Sequence, residues 1–146
     1  MARALAPALL ALIAVGCGGS GASAGATVSV YAAAPLCAEA RSGVEQADGK
    51  AADLTVRVVC LPAVAAGGGA DLSAAGSNAR RATEDSTAVA YLESPGPAAK
   101  FTRSIVEAAD VAWFEARSGS RAMHRVLSAL EGGDSSPREA VLDEVG

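Results

Sequence analysis

Short apolar runs, several rich in β-branched residues, alternate with segments whose apolar residues recur every three or four positions, from residue 27 to residue 146. Thr27-Val28-Ser29-Val30-Tyr31 is the first such run and reads as a strand. Residues 32–37 continue it into a loop, and residues 38–47 read as a short helix weakened by Gly43. Gly49-Lys50 is a turn signal, and residues 54–61, LTVRVVCL, form a second strand closed by Pro62. A small-residue loop over 63–70 leads into a helix over 71–85, loosened by Gly76. Thr87-Ala88-Val89-Ala90-Tyr91-Leu92 carries no charge and lies between Asp85-Ser86 and Ser94-Pro95-Gly96-Pro97. That is the pattern of a strand covered on both faces. A third helix is expected over 97–110, with Phe101, Ile105 and Ala108 as its buried stripe. Val111-Ala112-Trp113-Phe114 reads as a fourth strand. Residues 121–131 place Met123, Val126, Leu127 and Leu130 on one helical face, and Gly132-Gly133 stop it. Ser136-Pro137-Arg138-Glu139 is a capping box that opens a last helix, burying Val141, Leu142 and Val145.

This alternation predicts an α/β fold: a three-layer, open, mostly parallel sheet flanked by helices, in a single domain over 27–146. The chain has 146 residues, enough for one ordinary domain. Its hydrophobic content of 51% is inflated by alanine and only 3% is aromatic, so the core should be thin. Ligands of open α/β sheets bind outside the carboxyl ends of the strands. The loops expected at that edge are 33–37, 61–69 and 93–98.

The first 26 residues do not fit the alternation. One positive charge at Arg3 precedes an apolar run over 5–15 that is too short to span a bilayer, which takes about twenty residues. It has the length of a signal-peptide core. The run ends in Ala14-Val15-Gly16-Cys17, similar to a bacterial lipoprotein cleavage box, with Ala14 where leucine is usual. Residues 1–16 are thus expected to be a lipoprotein signal, with Cys17 receiving the lipid, diacylglycerol on its thiol. An ordinary signal with an incidental cysteine is the alternative. Residues 17–26, rich in Gly, Ser and Ala, read as a flexible tether. Gly16, Gly18 and Gly21 match the dinucleotide fingerprint only in letters, since no strand precedes them and no helix follows.

Cys37 and Cys60 remain, each expected at the carboxyl end of a strand. If those strands are neighbours, a disulfide is geometrically sound and an oxidising compartment favours it. Two buried reduced thiols are the alternative.

Net charge is −4, and the basic residues look scattered apart from Arg80-Arg81, with no basic stripe for a nucleic acid. One histidine, His124, cannot supply a multi-histidine metal site, and no Gly-x-Ser-x-Gly elbow is present. No nucleophile–base pair, metal site or cofactor motif emerges, so the sequence is read as a binder and not an enzyme.

The segment NARRATEDSTAVAYLE, followed by a small-residue loop, resembles the region around the third strand of type I periplasmic substrate-binding proteins, in particular the branched-chain amino-acid receptors of ABC importers. VSVYAAAPL resembles that family's first strand and loop, LTVRVVCLP its second strand, and AAKFTRSIVEAADV its third helix and the entry to the next strand. GSRAMHRVLSALE and SSPREAVLDEV resemble its last two helices. The family has two lobes that close on the ligand and is more than twice as long; here the fourth strand passes almost directly into the C-terminal helices. The resemblance implies a lipid-anchored, extracytoplasmic solute-binding protein reduced to about one lobe, serving an ABC permease and binding a branched-chain or related amino acid. It places ligand contacts at the backbone of Leu36 and Gly96 and at Ser94. Pro95 and Pro97 remove backbone donors from that loop. The rival expectation is a truncated relic or structural lipoprotein with no small-molecule ligand.

Overall fold

A computed structural model describes residues 25–65 and 71–146. The elements, in chain order, are β1 (Thr27–Ala32), α1 (Ala34–Gln46), β2 (Lys50–Ala51), β3 (Leu54–Cys60), α2 (Leu72–Thr83), β4 (Ala88–Glu93), α3 (Ala99–Glu107), β5 (Ala112–Glu115), α4 (Gly119–Glu131) and α5 (Pro137–Val145). Among the described residues the strands form one five-stranded sheet in the order β2-β3-β1-β4-β5. All pairs are parallel except β2 with β3. The expected α/β architecture, an open and mostly parallel sheet between two helical layers, is therefore the observed one. The signal segment, Cys17 and nearly all of the tether lie outside the described residues.

The two faces of β1 explain its lack of charge. Val28, Val30 and Ala32 pack with α1, α4 and α5, whereas Tyr31 packs with α2 and α3. A charged side chain on either face would be stripped of water without a partner. Val30 pairs in register with Val58 on one side and Ala90 on the other, and a bulge inserts Val89 between Ala88 and Ala90. The core is alanine-rich as expected: Ala32, Ala40, Ala79, Ala82, Ala88, Ala90 and Ala112 are fully buried. The largest fully buried side chains are aliphatic, led by Leu92 and Met123.

Several boundaries differ from the sequence reading. Helix α1 begins at Ala34, not at residue 38, so the expected 33–37 loop shrinks to the single residue Ala33. Pro35 sits in the first turn, where its missing N–H has no helical partner to lose. Lys50 is not in a turn but pairs with Thr55 in the short antiparallel β2–β3 hairpin. Helix α3 buries Ala99, Thr102 and Val106, not the expected stripe; Phe101 is 39% exposed and Ala108 is exposed. Phe101 lies instead across the α2–α3 seam, where a Cβ on Gly76 would sit 3.3 Å from its ring. The capping box of α5 is present, with Ser136 and Glu139 bonding reciprocally, and Val141 is its buried anchor.

Glycine sets the closest helix contact. A Cβ on Gly119 would collide with the Leu36 carbonyl oxygen and stand 3.0 Å from the Ala40 nitrogen, so α4 lies directly on the backbone of α1. Glu39 of α1 secures the same junction. Its carboxylate accepts from the Gly119 amide at 2.7 Å, the Ser118 hydroxyl at 3.0 Å and the Ser120 amide at 3.3 Å, capping α4 from a neighbouring helix. The Ser118 hydroxyl and these amides hold the Glu39 carboxyl below its ordinary pKa.

Candidate functional site

The strand order fixes where a crevice can open. After β1 the chain turns to α1 on one face; after β4 it turns to α3 on the other. The carboxyl ends of β1 and β4 are therefore the topological switch point of the sheet. Backbone groups just beyond the strands are tied across it. Ala33 donates to the Leu92 carbonyl, Leu61 to the Ala32 carbonyl and Ala116 to the Glu93 carbonyl, at 2.8–2.9 Å.

Of the residues singled out from sequence, Ser94 and Gly96 share the β4–α3 loop at this edge, Ser94 half-buried and Gly96 exposed. Leu36 lies in the first turn of α1. Its side chain is 3% exposed, its amide donates to the Ala33 carbonyl at 2.9 Å and its carbonyl abuts Gly119. The Leu36 backbone is thus committed within the fold. Cys37, also in that first turn, is disulfide-bonded to Cys60 at the end of β3, with Cα atoms 5.5 Å apart. The bridge pins α1 to the carboxyl edge, and a closed loop of this length contributes about 3 kcal/mol in the chain-entropy account.

The same edge carries charge on its β5 side. Glu93 and Glu115 end adjacent strands in register. Glu93 is half-buried and accepts from Trp113 Nε1 at 3.0 Å. Burial, reinforced by the Glu115 charge, raises the Glu93 pKa against the pull of its hydrogen bonds. The Arg103 guanidinium lies 5.3 Å from the centre of the Trp113 ring and pairs with Glu107 at 2.7 Å. Around the end of β5 opens a cavity of about 420 Å³, its walls including Pro95, Phe114, Ser118 and the arginines Arg117, Arg121 and Arg125. The Arg125 guanidinium lies 5.2 Å from the centre of the Phe114 ring and donates to Glu144 Oε1 and to the Glu144 carbonyl, both at 2.8 Å. Sequence reasoning treated these arginines as scattered. The spacing of four between Arg121 and Arg125 places those two on one face of α4, whereas Arg117 precedes the helix and joins them only through the fold.

The opposite end of the sheet is polar but closed. Asp85 accepts from Tyr31 Oη at 2.9 Å, from the Thr87 amide at 2.9 Å and from the Thr87 hydroxyl at 2.6 Å. Ser29, fully buried, shares a 2.7 Å hydrogen bond with Thr87 and accepts from Arg57 at 2.8 Å. Burial pushes the Asp85 pKa up, but the Thr87, Tyr31 and Ser29 hydrogen bonds prevail and hold it below the ordinary value. Tyr31 is raised, by burial first and then by donating to Asp85. The groups of this network are satisfied by one another, and among the described residues no buried side-chain nitrogen or oxygen lacks a partner.

Among the described residues no group of three or more His, Cys, Asp or Glu is placed to hold a metal ion, and His124 is exposed on α4. No helix among them is long and apolar enough to cross a membrane. No family model, curated protein or solved structure matches the chain.

Proposed function

We propose that this chain is the body of an extracytoplasmic, lipid-anchored solute-binding protein of the type I periplasmic kind, reduced to about one lobe. It binds a branched-chain or related amino acid for an ABC permease and catalyses no reaction. The observation that carries the proposal is the switch point itself. The β1–α1 and β4–α3 junctions diverge at the carboxyl edge, which is where such folds take small ligands, and Ser94 and Gly96 stand on it. The Cys37–Cys60 bridge supports an oxidising, exported location. Cys17, outside the described residues, is the proposed anchor. With Leu36 committed to the fold, ligand contacts fall to the Ser94 hydroxyl and the Gly96 backbone.

The test is calorimetry on the full-length protein with leucine, isoleucine, valine and small amides. A saturable signal that weakens at least threefold in Ser94→Ala is expected; silence across the panel removes the solute-binding assignment. Labelling with radioactive palmitate, lost in Cys17→Ala, checks the anchor independently.

A second reading, a structural lipoprotein without a small ligand, is favoured by the committed Leu36 backbone and by the two prolines of the 94–97 loop, which offer no amide donors. Silence in calorimetry combined with sharp cooperative unfolding is its expected outcome.

A further inference from the structure

We infer that the cavity at the end of β5 is a binding site for a small phosphate-bearing ligand, adjoining the proposed amino-acid crevice at Pro95 but recognising its ligand through other residues. Its inner surface is unusual for an acidic chain. Arg117, Arg121 and Arg125 line it against one acid, Glu115, in a protein of net charge −4. Arg121 and Arg125, four apart on α4, repel at a cost of about 0.2–0.5 kcal/mol, and Arg117, just before the helix, brings a third like charge to the same wall. Folding gains nothing visible in return at two of these positions. Among the described residues, the guanidinium groups of Arg117 and Arg121 make no ion pair and no hydrogen bond, and both residues are exposed.

The third arginine is different. Two charged hydrogen bonds to Glu144 and the Phe114 ring hold Arg125 in place. One fixed guanidinium beside two free ones is suited to an oxyanion: the fixed group sets the position, and the free groups fold onto the remaining oxygens with forked hydrogen bonds. The amides at the start of α4 do not contribute, because Glu39 already occupies those of Gly119 and Ser120. Recognition therefore rests on arginine side chains. Phe114, Ala116, Ala122 and Pro95 supply apolar wall, and about 420 Å³ leaves room for a short organic group carried by the phosphate. With Arg125 paired to Glu144 and Glu115 in the wall, the excess positive charge comes from Arg117 and Arg121, and it disfavours the ammonium of a free amino acid.

The phosphate can belong to a soluble monoester or to a lipid headgroup, and two arms of one experiment separate them. In the first, ¹⁵N-labelled full-length protein is titrated with inorganic phosphate at low ionic strength, following amide and arginine Nε–H signals. In the second, the protein is sedimented with phosphatidylglycerol vesicles and with neutral phosphatidylcholine vesicles, with Cys17→Ala as the background throughout so that no lipid anchor contributes. Saturable shifts at Arg121, Arg125 and their neighbours support a soluble ligand. Capture by phosphatidylglycerol alone, without saturable phosphate shifts, supports a headgroup. In either case Arg117→Gln/Arg121→Gln should weaken binding at least tenfold, while Arg80→Gln/Arg81→Gln on α2 should leave it within twofold. Matching unfolding midpoints show that both double variants are folded. The proposal is overturned if neither arm gives binding, or if the α2 pair matters as much as the cavity pair. Silence toward amino acids leaves it standing.

Discussion

Replacing Asp85 by asparagine isolates the network that locks the amino end of the sheet. The substitution keeps the shape and removes the charge. The asparagine side chain can still accept from the Thr87 amide and hydroxyl through its oxygen, but its NH₂ then faces Arg57, another donor, and Tyr31 must rotate its hydroxyl to accept. Three hydrogen bonds to a charged acceptor, from Tyr31 and from the Thr87 amide and hydroxyl, lose their charge assistance. Each such loss is worth about 1 kcal/mol, the difference between charged and neutral hydrogen bonds. Arg57 adds little, because its Nη2 is 3.5 Å from the carboxylate and its side chain is 57% exposed. The expected cost at pH 7 is therefore about 3 kcal/mol, read as a shift in the urea midpoint with the disulfide intact. The pH dependence supplies the sharper check. Asp85 is held below its ordinary pKa in the fold, so its contribution is present above the unfolded value of 3.8 and is lost as pH falls through the folded value. The gap between wild type and Asp85→Asn should narrow steadily from pH 5 to pH 2. A gap below 0.5 kcal/mol at pH 7, or one that stays constant into acid, refutes the network as a source of stability.

Three further substitutions probe the other regions. Gly119→Ala forces a methyl group into the Leu36 carbonyl and disturbs the Glu39 cap, so unfolding should move by at least about 2 kcal/mol; Gly132→Ala, with 3.6 Å of clearance and a negative φ, should cost under about 0.5 kcal/mol in the same denaturation series. Glu93 is raised above its ordinary pKa, so the fold favours its neutral form, and that stabilisation is lost as pH rises above 4.5 through the folded value. Glu93→Gln keeps an acceptor for Trp113 and should raise stability at pH 7 by about 1 kcal/mol, with the gain vanishing near pH 4. Fluorescence of the single tryptophan, Trp113, should follow the same titration in the wild type and lose it in the variant.

The parts of the fold that were legible from sequence are those where one physical demand dominates. The runs over 27–31 and 87–92 lie in the interior of a sheet covered by helices, and exclusion of charge marks them regardless of neighbours; 54–61, where Thr55 and Arg57 are exposed, is marked by its β-branched residues. The α5 capping box was equally legible because both of its bonds lie within four residues. What failed depended on distant partners. A two-residue strand such as Lys50–Ala51 has no side-chain period to read; only its pairing with Leu54 and Thr55 defines it. The α3 face was misplaced because α3 packs through its small residues, Ala99 and Thr102, and not through its largest, Phe101. The arginine cavity was missed for a related reason. Arg117 precedes α4 and Pro95 belongs to another loop, so only the fold brings them to one wall.

The two ends of the sheet treat their polar residues in opposite ways. At the amino end Asp85, Thr87, Ser29 and Tyr31 satisfy one another, and Arg138 donates to the carbonyls of Ser86, Ala88 and Ala109, tying α5 to the starts of β4 and β5. Those groups are already spoken for and offer a ligand little to bind. At the carboxyl edge the disulfide and the Glu39 cap make the frame rigid, yet the charges it presents are poorly satisfied: Glu93 is half-buried beside Glu115, and Arg117 and Arg121 lack acidic partners among the described residues. A fold selected only for stability would gain by neutralising those positions, since unpaired like charges on a fixed frame repel. Rigid backbone beneath unsatisfied charge is the arrangement a binding site requires, because the frame has already met the ordering cost and a ligand of opposite charge meets only its own. This asymmetry is the reason to look for function at the carboxyl edge whichever ligand, amino acid or phosphate, is found there first.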